Sequence, residues 1–143
     1  MQAVRLLVVA VLVAACAGVP LPVDPGDGTE GGPGLPVQRP DRPIAGPRAA
    51  ISGQVAVQGN GCLHVAFDDG RFLFAIWPAG TAMDGSGDAM LVGDRAYRDG
   101  DPFRGIGAVV PVAALPDPTY WREAHLLFCD PEASEVVVLD AMD

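Results

Sequence analysis

The chain has 143 residues, and its 18 acidic side chains outnumber the 9 basic ones, which gives a formal net charge of −9 at pH 7. All nine basic residues are Arg, and only five of them lie in residues 49–143, against 14 acidic side chains. A nucleic-acid binder that relies on a basic face is therefore excluded, because phosphate binding needs clustered Lys or Arg.

Composition divides the chain into three segments. Residues 1–15 are almost entirely apolar, residues 17–48 hold 8 of the 14 Pro and 7 of the 18 Gly, and residues 49–143 hold all nine aromatic side chains. The hydrophobic fraction of 50% therefore describes no single segment. The last segment, about 95 residues, is long enough for one modest core and too short for a two-domain enzyme.

The N-terminal segment has the features of a signal peptide. Arg5 is the only charge before an apolar run at residues 6–15. Ten helical residues reach about 15 Å, roughly half of the 30 Å hydrocarbon core of a bilayer. The run is too short to span, so we expect residues 1–15 to direct export and to be removed.

The end of this run, Val13-Ala14-Ala15-Cys16, resembles the lipobox of bacterial lipoproteins. That resemblance implies diacylglycerol on the Cys16 thiol, cleavage just before Cys16, and acylation of the new amino group. Two or three acyl chains give stable attachment where one gives only marginal binding. The expected location is therefore the extracytoplasmic face of the cell membrane or the outer membrane, with Cys16 as the anchor.

An alternative reading of the same residues is ordinary secretion. Ala15-Cys16-Ala17 also fits the small-x-small rule of the general signal peptidase, which would cut after Ala17 and release a soluble protein. An uncleaved N-terminal helix is the third possibility.

Residues 16–48 are predicted to follow the anchor as a disordered tether. Fifteen of the 32 residues from 17 to 48 are Gly or Pro and none is aromatic, so too little apolar surface exists to offset the entropy of ordering them. A spacer role is favoured. A proline-rich ligand at Pro33-Gly34-Leu35-Pro36 or at residues 40–43 is the alternative.

The domain at residues 49–143 is predicted to consist of short strands and turns. An Asp-Gly pair at Asp69-Gly70 indicates a hairpin, Gly93-Asp94 indicates a tighter one, and Pro78 ends the strand that precedes it. The predicted strands are residues 51–57, 62–67, 71–77, 90–92, 95–97 and 106–112.

The C-terminal third is predicted to hold one short helix and a closing hairpin. Asp117-Pro118 is typical of an N-cap followed by Pro at the first helical position, so residues 119–124 should form one or two helical turns. Residues 125–129 and 135–139 should pair across the turn at residues 130–134. The fold class is all-β, a small antiparallel barrel of the OB type or a sandwich.

Cys62 and Cys129 are the only thiols left once Cys16 is lipidated. An exported domain with two cysteines usually joins them. We therefore expect a disulfide that closes a loop of 67 residues. The chain-entropy estimate for such a loop is roughly 4 kcal/mol.

The turn residues of this domain also resemble those of a known group. The order Gly61-Cys62-Leu63, Asp69-Gly70-Arg71, Ile76-Trp77-Pro78-x-Gly80-Thr81, residues 99–101 and residues 105–107 is similar to small, uncharacterised exported domains of GC-rich bacteria. The resemblance implies an OB-type barrel behind a lipoprotein signal. It implies no activity.

Few residues are arranged for chemistry. Asp84, Ser86 and Asp88 begin a calcium-loop pattern, but the sixth and twelfth positions hold Ala89 and Arg95 instead of Gly and Glu, so a turn is favoured over a cation site.

The histidines and serines do not suggest catalysis. His64 and His125 each fall in a predicted strand and are interpreted as structural. Ser52, Ser86 and Ser134 lack the glycines of a nucleophile elbow.

The aromatic side chains allow two interpretations. They could form a stacking face for sugars or peptides, but core packing is the more common role. The residues concerned are Phe72, Phe74, Trp77, Tyr97, Tyr120 and Trp121.

The sequence thus favours a lipid-anchored, non-enzymatic module that uses no cofactor and binds an unidentified envelope protein or saccharide, or serves a structural role in the envelope. The alternative is a binding domain for a saccharide, small molecule or cation, using the aromatic face or the barrel mouth.

Overall fold

The computed structural model describes residues 29–30 and 34–143. The predicted signal peptide, Cys16 and the first part of the predicted tether lie outside the described residues. The described chain forms ten strands: β1 Thr29–Glu30, β2 Val37–Gln38, β3 Ala49–Val57, β4 Leu63–Ala66, β5 Phe72–Ile76, β6 Ala82–Met83, β7 Met90–Val92, β8 Arg95–Tyr97, β9 Pro102–Pro111 and β10 Glu135–Met142.

Five of these strands close into a barrel. Around the barrel the order is β3, β4, β5, β10 and β9, and β9 pairs with β3 to close it. All pairs are antiparallel except β5 with β10, which is parallel. This Greek-key order is that of an OB-type barrel, so the prediction of a small β-barrel is confirmed and the sandwich alternative is wrong.

Alternating side chains build the barrel interior. In β3, Ile51, Gly53 and Val55 are buried while Ser52 and Gln54 are exposed, as the sequence alternation predicts. The other strands contribute interior residues in the same way. The interior cluster includes Leu63, Val65, Ala75, Trp77, Phe103, Val137 and Leu139.

The predicted hairpins are present with small shifts in their ends. Gly70 has φ +87° in the turn between β4 and β5, and its N–H donates to the Phe67 carbonyl at 3.0 Å. The Gly93-Asp94 turn joins β7 to β8. Together with β6, these two strands form a separate three-stranded sheet, which lies between β5 and β9 in the sequence. β9 begins at Pro102, four residues earlier than predicted.

Glycine in β9 allows the barrel to close. A Cβ atom on Gly107 would collide with the Val138 carbonyl of β10, so no larger residue fits where the two strands approach.

A helical segment between β9 and β10 covers part of the outside of the barrel. After a 3-10 turn at Val112–Ala114, the chain is α-helical at Pro118–Trp121, π-helical at Arg122–Leu126 and α-helical at Leu127–Cys129. We call residues 118–129 the helical cap. Asp117 is its N-cap, as predicted, and its carboxylate accepts from the Tyr120 N–H at 3.1 Å.

The helical cap corrects the prediction of a strand at residues 125–129. His125, Leu126 and Cys129 are buried, whereas Leu127 and Phe128 are exposed. This spacing fits a helix face and not the alternation of a strand. The predicted helix at residues 119–124 therefore continues to Cys129, and β10 pairs with β9 and β5 instead of with residues 125–129.

The helical cap creates a second core outside the barrel. Trp121 and Leu126 are fully buried there, in one cluster with the outward side chains of three strands, β5, β9 and β10. Those strand residues are Phe74, Ile76, Ala108, Val110, Val136 and Val138. The helical cap thus covers an apolar outer face of the barrel that would otherwise be exposed to solvent.

Residues 34–48, which the sequence analysis placed in the disordered tether, are packed along the barrel. Leu35, Val37 and Ile44 are buried, and the first two join the interior cluster while Ile44 joins the outer one. The Gln38 N–H donates to the Trp77 carbonyl at 2.8 Å. We call residues 34–48 the strap. The apolar residues of the strap recur at no regular spacing, so the sequence indicates neither a helix nor a strand there. Its high content of Gly and Pro therefore predicted disorder.

The end of the strap is fixed by a carboxylate in β10. Asp140 accepts from Nε and Nη2 of Arg48 at 2.6 and 3.0 Å, and from the Gln38 side-chain amide at 2.9 Å. The Gln38 amide also donates to the Leu139 carbonyl at 2.7 Å. The strap is therefore tied to β10 at Gln38 and again at Arg48.

The predicted disulfide is present between Cys62, which precedes β4, and Cys129, which ends the helical cap. Their Cα atoms lie 5.6 Å apart. The bond joins the cap to the barrel across a sequence separation of 67 residues.

Replacing both cysteines tests the contribution of this bond. The Cys62→Ala/Cys129→Ala protein should lose about 4 kcal/mol in free energy of unfolding, because the unfolded chain regains the freedom of the closed loop. Urea denaturation of both proteins, with and without dithiothreitol, measures the loss. Dithiothreitol should destabilise only the parent protein. A difference below about 1 kcal/mol would contradict the assignment.

Candidate functional site

The aromatic residues do not form a continuous stacking face. Phe74, Trp77 and Trp121 are fully buried and Tyr97 is 2% exposed. Tyr120 is half-buried, and Phe72 is 43% exposed. The interpretation of these side chains as core residues is therefore favoured.

The face of β4 and β5 is the one that OB-type barrels commonly use to bind oligonucleotides and oligosaccharides. Here part of it lies beneath the helical cap. His64 and Phe74 point outward from these strands, yet both are fully buried. The cap therefore takes the place that a ligand has in other barrels of this type.

His64 lies in an aromatic stack on this covered face. Its ring stacks on Phe72 with centroids 4.7 Å apart and meets the edge of Phe74 at 5.5 Å. Burial lowers the pKa of His64 from its usual 6.5, while the Cys62 backbone and the Asp130 carboxylate act in the opposite direction. A neutral imidazole packed between aromatic rings is suited to a structural role.

Protonation of His64 should destabilise the fold. Because its pKa is lower in the folded state, the unfolded chain binds more protons below about pH 6.5, and stability is lost as the pH falls from there. We expect the free energy of unfolding to fall between about pH 7 and 5, and to fall less in His64→Gln. Urea denaturation at several pH values in this range measures the slope of the free energy of unfolding against pH for each protein. Equal slopes would show that His64 does not titrate in this way.

A concave surface lies beside the outer face of β3, which carries small side chains. A groove of about 470 Å³ runs past Ala50 and Ser52 to Phe67, Asp68 and Arg71. A second, more polar depression of about 440 Å³ shares Ser52 and Asp68 with it and is lined by residues that include Gln54, Arg95 and Arg104. We call the two together the side groove. It is shallow and mixed in charge.

A smaller pocket of about 270 Å³ lies at the barrel mouth, between the end of β3 and the three-stranded sheet. Its floor is apolar and includes Leu63, Met90 and Tyr97, and Asp88 and Asp99 also line it. The Asp99 carboxylate accepts from the Val57 N–H at 2.8 Å, so part of this acidic lining has a structural task.

The residues of the calcium-loop pattern form a turn that is stabilised by its own hydrogen bonds. The Asp84 carboxylate accepts from the Ser86 hydroxyl at 3.0 Å and from the N–H groups of Asp88 and Ala89 at 2.9 and 3.3 Å. Burial acts to raise the pKa of Asp84, but these hydrogen bonds outweigh it and lower that pKa. Asp84 is thus used by the turn between β6 and β7.

Across residues 29–30 and 34–143, no three or more His, Cys, Asp or Glu side chains are grouped so that they could hold a metal ion. Within the same residues, no helix has the length and apolar character needed to cross a membrane.

The structure brings some of the predicted site residues together, and one of them lies outside the described residues. Cys62 and Cys129 are joined, while Asp84, Ser86 and Asp88 lie together in one turn. Cys16 lies outside the described residues. The sequence reasoning missed the side groove, for which the run of small residues Ala49, Ala50 and Ser52 on one strand is the only signal.

Comparison with known proteins adds no family. No protein-family model matches the chain, and neither a curated protein nor a solved structure matches it. Its function must therefore be argued from its own residues.

Proposed function

We propose that the protein is a bacterial lipoprotein that holds a small β-barrel at the extracytoplasmic face of a membrane, where the barrel acts as a non-enzymatic binding or structural module of the envelope. The apolar run at residues 6–15 and the lipobox-like Val13-Ala14-Ala15-Cys16 support export and lipid attachment. Cys16 would carry the lipid.

The observation that carries this proposal is the disulfide between Cys62 and Cys129. Disulfides persist in exported proteins and are rare in the reducing cytosol. A bond that pins the helical cap to the barrel is therefore consistent with folding after export, which is what the N-terminal sequence predicts independently.

The chemistry of the described domain supports a module without catalytic activity. Its two cysteines are consumed by the disulfide, and His64 is enclosed between Phe72 and Phe74. A catalytic base needs access to the proton that it removes, and this stack blocks such access to His64.

The strap shortens the connection to the proposed anchor. With residues 34–48 packed on the barrel and β1 beginning at Thr29, only residues 17–28 separate Cys16 from the first described strand. Fully extended, this length spans about 45 Å at most. The proposal therefore places the barrel close to the membrane surface, where its partners would be envelope components.

A ligand-binding domain is the second candidate, and the side groove favours it, since its first depression alone has a volume of about 470 Å³. Its volume lies in the range of small-molecule sites. A saccharide or an extended segment of an envelope protein would suit its shallow shape and mixed charge.

Replacement of Cys16 tests the main proposal. The parent protein should incorporate an alkyne-labelled palmitate and sediment with the membranes, because its thiol and amino group carry the acyl chains. Cys16→Ala should lose both properties, and Ser52→Ala should keep both as a matched control. Recovery of Cys16→Ala with the membranes would contradict lipid anchoring.

The mass of the processed protein separates the two cleavage sites. The proposal predicts a lipid-modified chain that begins at Cys16. An unmodified chain that begins at Gly18 would instead establish ordinary secretion.

A further inference from the structure

The helical cap exposes two adjacent large hydrophobic side chains. Leu127 is 70% exposed and Phe128 is 62% exposed, more than any other large hydrophobic residue in the part of the chain that the structure describes. Their neighbours are fixed, since Leu126 is fully buried and Cys129 is bonded to Cys62. The pair, which we call the apolar tip, is therefore held outward by the buried residues on either side.

The apolar tip is attached to the barrel near the turn between β3 and β4. The Asn60 side chain donates to the Phe128 carbonyl at 3.3 Å, and the next residue but one, Cys62, holds Cys129. The tip is thus held at the Phe128 carbonyl by Asn60 and at Cys129 by the disulfide. Its exposure is therefore a fixed feature of the fold.

The strap, which follows the connection from the proposed anchor in the sequence, begins at the same turn. The Gly34 carbonyl accepts from the Leu63 N–H at 3.3 Å, and a Cβ on Gly34 would lie 3.1 Å from the Gly61 carbonyl oxygen. The first residue of the strap and the apolar tip therefore contact one short stretch, residues 60–63. Upstream of the strap, β1 pairs back onto β2.

These positions and the charge of the domain indicate what covers the tip. A connection of residues 17–28 keeps the barrel within about 45 Å of the lipid on Cys16. The domain has 14 acidic side chains against 5 Arg, so electrostatic attraction to anionic lipid cannot dock it. Apolar side chains can enter the interface between headgroups and acyl chains without such attraction.

We propose that Leu127 and Phe128 insert into the surface of the bilayer that carries the lipid of Cys16 and so fix the orientation of the barrel. This inference rests on the proposed function, because two side chains bind a membrane weakly unless a covalent anchor keeps their local concentration high. The side groove on β3, on the wall that the helical cap leaves open, would then stay accessible to partners.

Fluorescence quenching by brominated lipid tests this insertion. The full-length processed lipoprotein, as Phe128→Trp, is placed in phosphatidylcholine vesicles with and without lipid brominated at the middle of the acyl chains. The matched control is Ile106→Trp, because Ile106 is 47% exposed on the barrel wall. Trp77 and Trp121 are fully buried and give the same background in both.

After the emission of the parent protein in the same vesicles is subtracted, we expect brominated lipid to reduce the remaining emission of Phe128→Trp by about twofold and to leave that of Ile106→Trp nearly unchanged. Equal quenching of the two variants, with both still bound to the vesicles, would overturn the insertion and leave the proposed function intact. If neither variant floats with the vesicles, the lipid anchor itself is absent and both proposals fail. Emission of the free proteins shows beforehand that each variant is folded.

Discussion

The packing of the helical cap against the outer face of the barrel is the contact on which the rest of the structure depends. It buries Trp121 and Leu126 against side chains of β5, β9 and β10, and the Cys62–Cys129 bond prevents the cap from separating. A five-stranded barrel of this size has a small interior, so a second core outside it adds apolar burial that a domain of about 95 residues needs. The cost is that this cap covers part of the face at which OB-type barrels commonly bind ligands.

The strap, which precedes the barrel in the sequence, completes this arrangement. It reaches both cores, through Val37 inside the barrel and Ile44 outside it, and Asp140 holds it at Gln38 and at Arg48. The folded unit therefore begins at least 15 residues before the boundary that composition suggests. In the proposed lipoprotein this brings the barrel closer to the membrane and leaves the side groove as the open concave surface.

Local features of the sequence predicted the fold well, and of the contacts distant in sequence the Cys62–Cys129 bond was predicted whereas the packing of the helical cap and the strap was not. The alternation in β3, the Asp69-Gly70 turn and the Asp117 N-cap each depend on a few neighbouring residues, and all three are present. The helical path of residues 125–129 depends on burial against the barrel, which a short apolar run does not reveal. The same holds for the strap and the side groove.

We infer that the strap and the barrel form one cooperative unit. Native-state amide hydrogen exchange tests it most directly at Gln38, whose N–H donates to the Trp77 carbonyl. This amide should exchange as slowly as that of Val65 in the barrel, since exchange at both would require global unfolding. Exchange of Gln38 at the rate of an unfolded chain, while Val65 stays protected, would contradict it.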